Sequence, residues 1–265
     1  MLKIHPLYSS SSGNMFHIAS SNTNILIDVG VSYKAVNEGL KSINLTIKDI
    51  DAILITHEHS DHIKGLPLLC RKNNNIPIYA CIDTASYIKE ELDDKNIESN
   101  IIAIDYNLPI KIKDIEICAF ETSHDALMPC GYTLKNDDSI VTFATDLGYI
   151  SPVVYDYFSK SNYAVIESNY DDTMLDFGKY PYKLKRRIKS ITGHLSNKDC
   201  GQTIAKLANE GHTRFLLAHM SENNNNLEIA KQTVDSILFQ NGIEPQNVEV
   251  NFASKTLSNE EYTIC

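Results

Sequence analysis

Short apolar runs cut by small polar turns fill the first thirty residues. Segments 2–8, 15–19 and 24–29 are rich in Leu, Ile, Val and aromatic side chains, and the polar stretches 9–13 and 20–23 separate them. That spacing predicts three strands. Ser32 stands where an N-cap would open a helix reaching about residue 43. The apolar run 51–56 predicts a strand ending on a histidine cluster. A helix over 65–72, a strand over 76–80 and a helix from 83 to 93 follow. The middle of the chain predicts strands at 101–105, 115–121, 131–134, 140–144 and 164–167. The last third turns helical, over 151–159, 182–190, 196–210 and 227–240, around strands at 215–218 and 248–251. Strand-rich halves that each run into helices predict two facing sheets with helices outside, a four-layer α/β/β/α sandwich. The polar run 222–226 reads as a loop, and no low-complexity linker interrupts the chain, so residues 1–265 are expected to form a single domain.

Composition narrows the class. Hydrophobic residues make up 43 %, enough for a well-formed core. No apolar run approaches the roughly 18 residues of a membrane span. The opening Met1-Leu2-Lys3-Ile4-His5-Pro6 lacks the apolar core of a secretory signal. The scattered cysteines (Cys70, Cys81, Cys118, Cys130, Cys200 and Cys265) suit free thiols better than a disulfide scaffold or a thiolate zinc site. A cytoplasmic location is therefore expected. The formal charge of −10 argues against broad adhesion to nucleic acid, although local charge decides what a site accepts.

Chemistry concentrates in Thr56-His57-Glu58-His59-Ser60-Asp61-His62, which places three imidazoles and a carboxylate just past an apolar strand. Imidazole nitrogen and carboxylate oxygen are donors for zinc, and equally for manganese or iron. In extended or turning backbone, i and i+2 point the same way, so His57 and His59 can grip one ion. Asp61 and His62, displaced along the turn, can serve a second.

The H-x-H-x-D-H string after a hydrophobic strand resembles the signature of the metallo-β-lactamase superfamily. Four further landmarks follow in that family's order: Leu26-Ile27-Asp28-Val29-Gly30, Ser123-His124-Asp125, Thr145-Asp146-Leu147-Gly148 and Leu217-Ala218-His219-Met220-Ser221. The resemblance implies that His57, His59 and His124 hold one metal, that Asp61, His62 and His219 hold the other, and that Asp146 bridges them. Asp28 would brace the metal loop without ligating. Two divalent ions, Zn2+ or Mn2+ with Fe as a further option, would activate a water for hydrolysis, with Asp61 counted among the catalytic residues. Di-iron relatives that reduce oxygen carry glutamate where this chain has His59. One zinc β-lactamase branch uses a cysteine ligand and lacks the equivalent of His62. Both comparisons turn the expectation away from redox and β-lactam chemistry.

Between Asp146 and His219 lie Val165-Ile166-Glu167-Ser168-Asn169 and Gly193-His194-Leu195-Ser196-Asn197. Similar elements mark ribonuclease Z and RNase J-like nucleases, which implies a Glu167–His194 pair handling the leaving group. The alternative is a surface strand end and a helix cap. Lys183-Leu184-Lys185-Arg186-Arg187-Ile188-Lys189 carries five basic residues in seven, readable as a phosphate contact through Lys185, Arg186 and Arg187 or as a solvated helix face. Tyr180 and Tyr182 could stack on bases or pack on the surface. The loop Ser9-Ser10-Ser11-Ser12-Gly13-Asn14 could meet an anion through Ser12, Gly13 and Asn14, or make an ordinary hairpin turn.

The combination is most similar to the YycJ/WalJ-like subgroup, over nearly the full length. Pro129-Cys130-Gly131-Tyr132 and Tyr180-Pro181-Tyr182-Lys183 match as well, while Ser10 stands where the subgroup usually has glycine. The resemblance implies a 5′-to-3′ exonuclease acting on DNA and a link to DNA repair. Only 73 positions separate Asp146 from His219, too few for the large cap domain of RNase J-like enzymes, so an open cleft accepting single-stranded ends is expected, with RNA as the alternative polymer and Asn169 and Ser196 as further candidate substrate contacts. A small-molecule hydrolase acting on a thioester, lactone or cyclic nucleotide is the competing reading.

Overall fold

The computed structural model describes residues 1–73, 75–92 and 100–264. Six strands come first: β1 (Leu2–Ser10), β2 (Gly13–Ala19), β3 (Asn24–Ile27), β4 (Ala52–Ile55), β5 (Ile78–Cys81) and β6 (Ile101–Ile104). A second set follows: β7 (Ile110–Ile112), β8 (Ile115–Glu121), β9 (Cys130–Asn136), β10 (Ser139–Ala144), β11 (Tyr163–Glu167), β12 (Arg214–Ala218) and β13 (Glu249–Phe252). The last strand, β14 (Tyr262–Ile264), returns to pair with β1. Two seven-stranded sheets result, ordered β14-β1-β2-β3-β4-β5-β6 and β13-β12-β11-β10-β9-β8-β7.

The helices are α1 (Tyr33–Ser42), α2 (Ser60–Ile63), α3 (Leu66–Lys72), α4 (Ile82–Leu92), α5 (Pro152–Phe158), α6 (Asp172–Phe177), α7 (Tyr182–Ile188), α8 (Asn197–Asn209) and α9 (Leu227–Gln240). Side-chain alternation explains the layering, because neighbouring strand residues face opposite sides of a sheet. Ile25, Ile27 and Leu54 point into the core between the sheets, where they share one cluster with Val141, Val165 and Leu216. Their neighbours Leu26, Ile53 and Ile55 point outward onto Val36 and Leu40 of α1, Leu66 and Leu69 of α3 and Ile88 of α4. On the second sheet, Phe215 and Leu217 pack against α5, α8 and α9 through Phe158, Ile204 and Val234. Strands buried on both faces read as unbroken apolar runs, which is why 51–56 and 215–218 stood out. The four-layer α/β/β/α sandwich is the observed architecture.

Several boundaries shift. The first strand continues to Ser10 and pairs Ser9 with Asn14 and Ser10 with Gly13, so the serine stretch is a hairpin closed at Ser11 and Ser12. The helix expected over 182–190 ends at Ile188. The expected end of the helix at Asp93 lies outside the described residues, as does Cys265. No helix among the described residues is long and apolar enough to cross a membrane.

Candidate metal centre

The centre forms where strands end. β3 and β4 run parallel, as do β10, β11 and β12, so their C-terminal ends lie along one rim. Asp28 follows β3, His57 follows β4, Asp146 follows β10, Glu167 closes β11 and His219 follows β12. Three of these have left-handed backbone: Asp28 at φ 60°, Asp146 at φ 58° and His219 at φ 54°. Such conformations cost about 1–3 kcal/mol each and persist where surrounding contacts enforce them. Here Asp28 N–H donates to Leu54 O (2.8 Å) and His219 N–H to Ser9 Oγ (2.8 Å). The single turn of α2, opened by His59, then presents Asp61 and His62.

All seven residues expected to ligate metal converge. One donor atom from each of His57, His59 and His124 lies within 4.8 Å of the others, and Asp61, His62 and His219 form a second such group. Asp146 joins both sides, grouping with His57 and His62 and again with Glu167, His194 and His219. Most of the rings are held by one nitrogen so that the other faces the cluster. His62 Nδ1 donates to Asp28 Oδ2 (2.7 Å), His124 Nδ1 to Gly193 O (3.0 Å) and His219 Nδ1 to Glu167 Oε1 (2.8 Å). Thr56 Oγ1 donates to Asp28 and accepts from His57 Nδ1 at 3.0 Å, leaving His57 Nε2 as the lone pair. Orienting partners of this kind fix the tautomer a metal ligand needs.

The donor set fits divalent ions on an observation internal to the structure. His57 Nε2, His219 Nε2 and Asp146 Oδ2 are buried with no hydrogen-bond partner. Each such atom costs about 1–3 kcal/mol, and all three belong to the converging groups. Charge tells the same story. Burial and the neighbouring imidazoles of His62, His124 and His59 hold His57 well below the usual histidine range, in its neutral, ligating form. Burial also opposes charge on His62 and His219, yet the carboxylates around them win. Asp28, Asp146 and Asp61 lift His62 well above its ordinary value, and Asp146, Asp61 and Glu167 push His219 up to about 10. Asp61 and Asp146, although buried, stay ionised beside those imidazoles. The carboxylates thus favour protons on His62 and His219, and holding dications would require both imidazoles in their neutral form.

Glu167 is fully buried and accepts four hydrogen bonds. Oε2 takes the backbone N–H of Leu147 (2.7 Å) and of Leu195 (3.1 Å). Oε1 takes His194 Nδ1 (2.9 Å) and His219 Nδ1 (2.8 Å). The structure thus brings together the expected Glu167–His194 pair and adds His219 to it. Burial works against the Glu167 charge, but the two imidazoles keep its carboxyl below the usual glutamate range.

The other candidates divide. Asn14 reaches the centre, with Nδ2 3.3 Å from Asp61 O and 3.2 Å from His62 Nε2. Asn169 is buried behind His219 and donates to its carbonyl (2.8 Å), so it shapes that loop from within. Gly13 pairs with Ser10 in the hairpin, and Ser12 on the rim donates to Glu222 (2.7 Å). Two expectations change. The Ser196 hydroxyl caps α8, accepting from Asp199 N (3.0 Å) and donating to Asp199 Oδ2 (2.8 Å), so a cap replaces the expected substrate contact. Lys185 Nζ turns onto the carbonyls of Asp176 (2.8 Å) and Gly178 (2.7 Å), capping α6 in place of a phosphate. Arg187 makes a two-pronged pair with Asp125 (2.6 and 2.7 Å), directly beside His124, and Arg186 stays exposed over the Tyr182 ring. The sequence reading missed Thr56, the Gly193 carbonyl and Asp125. Thr56 carried the one available signal, a hydroxyl next to His57.

Gly30 sets how closely the metal loop approaches. A methyl group there would sit 1.5 Å from Asp61 O and 2.8 Å from Asn14 N. Gly30→Ala is expected to destabilise the fold by at least about 1–3 kcal/mol and to push Asp61 outward. Urea denaturation together with metal titration checks this; an unchanged metal affinity would refute the displacement.

Comparison with known proteins agrees with this geometry. The family model for the beta-lactamase superfamily domain matches residues 23–220. The chain is 36 % identical over 236 residues to exodeoxyribonuclease YycJ of Bacillus anthracis, covering 89 % of each chain. It is 35 % identical over 240 residues to exodeoxyribonuclease WalJ of Streptococcus pneumoniae, covering 88 % of this chain and 87 % of that one. The crystal structure of the metallo-β-lactamase fold protein YhfI from Bacillus subtilis superposes with a TM-score of 0.73 over 98 % of both chains at 16 % identity, a likeness of fold alone. With rim, donor set and relatives in agreement, the chain belongs to the β-lactamase superfamily of metal-dependent hydrolases, in the group that holds the YycJ and WalJ proteins.

Proposed function

We propose that this enzyme is a dinuclear phosphodiesterase that removes nucleotides from the 5′ end of DNA. The observation that carries the reading is the joining of two three-residue donor groups through Asp146, with His194 held at their edge by Glu167. His57, His59 and His124 would hold one ion, Asp61, His62 and His219 the other, with Asp146 between them and Zn2+ or Mn2+ as the metals. When bound, such a pair supplies Lewis-acid activation of water and charge stabilisation at a phosphoryl group.

The protein's own groups do the rest. Asp61, kept ionised, is placed to accept a hydrogen bond from the attacking water. Glu167 fixes the His194 ring through Nδ1, leaving Nε2 to give a proton to the oxygen that departs from phosphorus. His194 is suited to that task because its side chain keeps 13 % exposure while the metal-facing His62 and His219 keep 0 % and 1 %. Arg187, anchored by Asp125, places a guanidinium beside the centre for the neighbouring phosphate. The YycJ and WalJ relatives, named as exodeoxyribonucleases, support DNA as the polymer.

The purified enzyme loaded with Mn2+ or Zn2+ should shorten 5′-labelled single-stranded DNA to mononucleotides. Asp61→Ala should slow this by about 10²–10³-fold or more. Turnover of a thioester or cyclic nucleotide with no action on DNA or RNA would replace the proposal with a small-molecule hydrolase.

A further inference from the structure

Among the described residues, the three most exposed large hydrophobic side chains are Phe177 (88 %), Tyr182 (76 %) and Ile191 (74 %). All three fall in one span, between the end of α6 and His194. Single exposed apolar side chains are ordinary on a protein surface, but the three most exposed falling within fifteen residues of chain that lead into His194 are not. The same span carries Lys179, Lys183 and Arg186, all exposed, and none of them pairs with a carboxylate among the described residues. Its other cations are committed: Lys185 to carbonyl oxygens, Arg187 to Asp125, and Lys189 to Asp172 and Asp176. Tyr180 differs from Tyr182. It packs on the small cluster of Tyr170, Leu175 and Ile188, and its hydroxyl accepts from Asn223 (3.1 Å), so it braces the span from below.

The span is fastened to the centre. Asp125 N–H donates to Thr192 O (3.1 Å), His124 Nδ1 donates to Gly193 O (3.0 Å), and Gly148 leaves room for the Ile191 carbonyl, which a methyl there would meet at 2.1 Å. Exposed rings interleaved with cations that no carboxylate holds, Arg186 lying over the Tyr182 ring itself, match on a chain of net charge −10 the chemistry of an unpaired nucleic-acid strand. Ring faces stack on unpaired bases of any sequence, and separate ammonium and guanidinium groups meet the phosphates between them. A duplex offers no free base faces for that purpose.

Resting on the nuclease reading, we infer that residues 177–191 form the track along which one DNA strand enters. Bases stack on Phe177 and Tyr182, phosphates meet Lys179, Lys183 and Arg186, and the strand end passes Ile191 to reach His194.

The test is binding of the metal-loaded protein to a labelled phosphorothioate oligothymidylate, which resists cleavage, with a blunt duplex of the same length alongside. Phe177→Ala/Tyr182→Ala should raise the single-strand Kd about 25-fold, from about fivefold per ring. Its thermal midpoint should match the parent, because both rings lie in solvent. Replacing Lys179, Lys183 and Arg186 by glutamine should flatten the slope of log Kd against log salt by about 2. Unchanged single-strand binding by the aromatic variant, or an equal loss for single strand and duplex, overturns the track even if the parent degrades DNA. A parent that neither binds nor cuts any polynucleotide overturns the nuclease reading itself.

Discussion

Glu167→Gln should slow DNA hydrolysis by about 10²–10⁴-fold while leaving the chain folded. The carboxamide has nearly the same shape as the carboxylate but only one acceptor oxygen. In the parent, two oxygens serve four donors: Leu147 N, Leu195 N, His194 and His219. The amide group that replaces Oε1 or Oε2 presents N–H to N–H, so it expels two of those partners. If it faces the imidazoles, His194 loses the bond that sets its tautomer, and His219 loses the bond that turns Nε2 toward the metals. Metal affinity should then fall about 10–100-fold. Single-turnover rates on end-labelled DNA and competitive metal titration measure the two effects separately. His194→Ala supplies the control: if Glu167 acts partly through His194, the double variant loses less than the product of the single losses. Hydrolysis within threefold of the parent for Glu167→Gln would show that the shared carboxylate does not position the leaving-group acid.

The second large effect falls on stability. Asp28→Ala should cost about 3–5 kcal/mol, the range for removing one partner from a buried charged pair. Asp28 is fully buried, accepts from Thr56 N (2.9 Å) and Thr56 Oγ1, and holds His62 Nδ1 at 2.7 Å. Removing it leaves these donors without an acceptor in a dry interior. It also frees Thr56 from the arrangement that fixes the His57 tautomer. For a chain of this size the thermal midpoint should drop by about 10 °C. Chemical denaturation of metal-stripped parent and variant isolates this from metal binding. A difference under 1 kcal/mol would mean that Asp28 is dispensable to the loop's structure.

The metal donors were readable in the sequence because each stands at a conspicuous boundary. His57 and His219 follow apolar runs that could only be buried strands, and three imidazoles in six positions have no ordinary packing explanation. Short elements were harder. β7 and β14 are three residues each, too short for alternation to register, and α6 carries only a cap signal at Asp171, which accepts from Met174 N. Partners far away in sequence left no trace at all. The acceptor for His124 is a main-chain carbonyl at Gly193, which any residue would supply. The basic run 183–189 was visible as charge, but its neutralisation was not, because Asp172 and Asp176 meet it only when α6 packs beside α7, and Asp125 only when the loop after β8 reaches α7. That is why three of its cations, Lys185, Arg187 and Lys189, are held by the protein's own oxygens.

The metal loop is stitched across both sheets: Cys130 N–H donates to Thr56 O (3.0 Å) and Tyr132 O–H to Ile55 O (2.6 Å), while Ser9 in the first sheet receives the His219 amide from the second. Chemistry here is therefore a property of the seam. A ribosome must release the residues up to His219 before the last donor exists, so the full set of converging donors is a late product of synthesis and needs strands from both sheets.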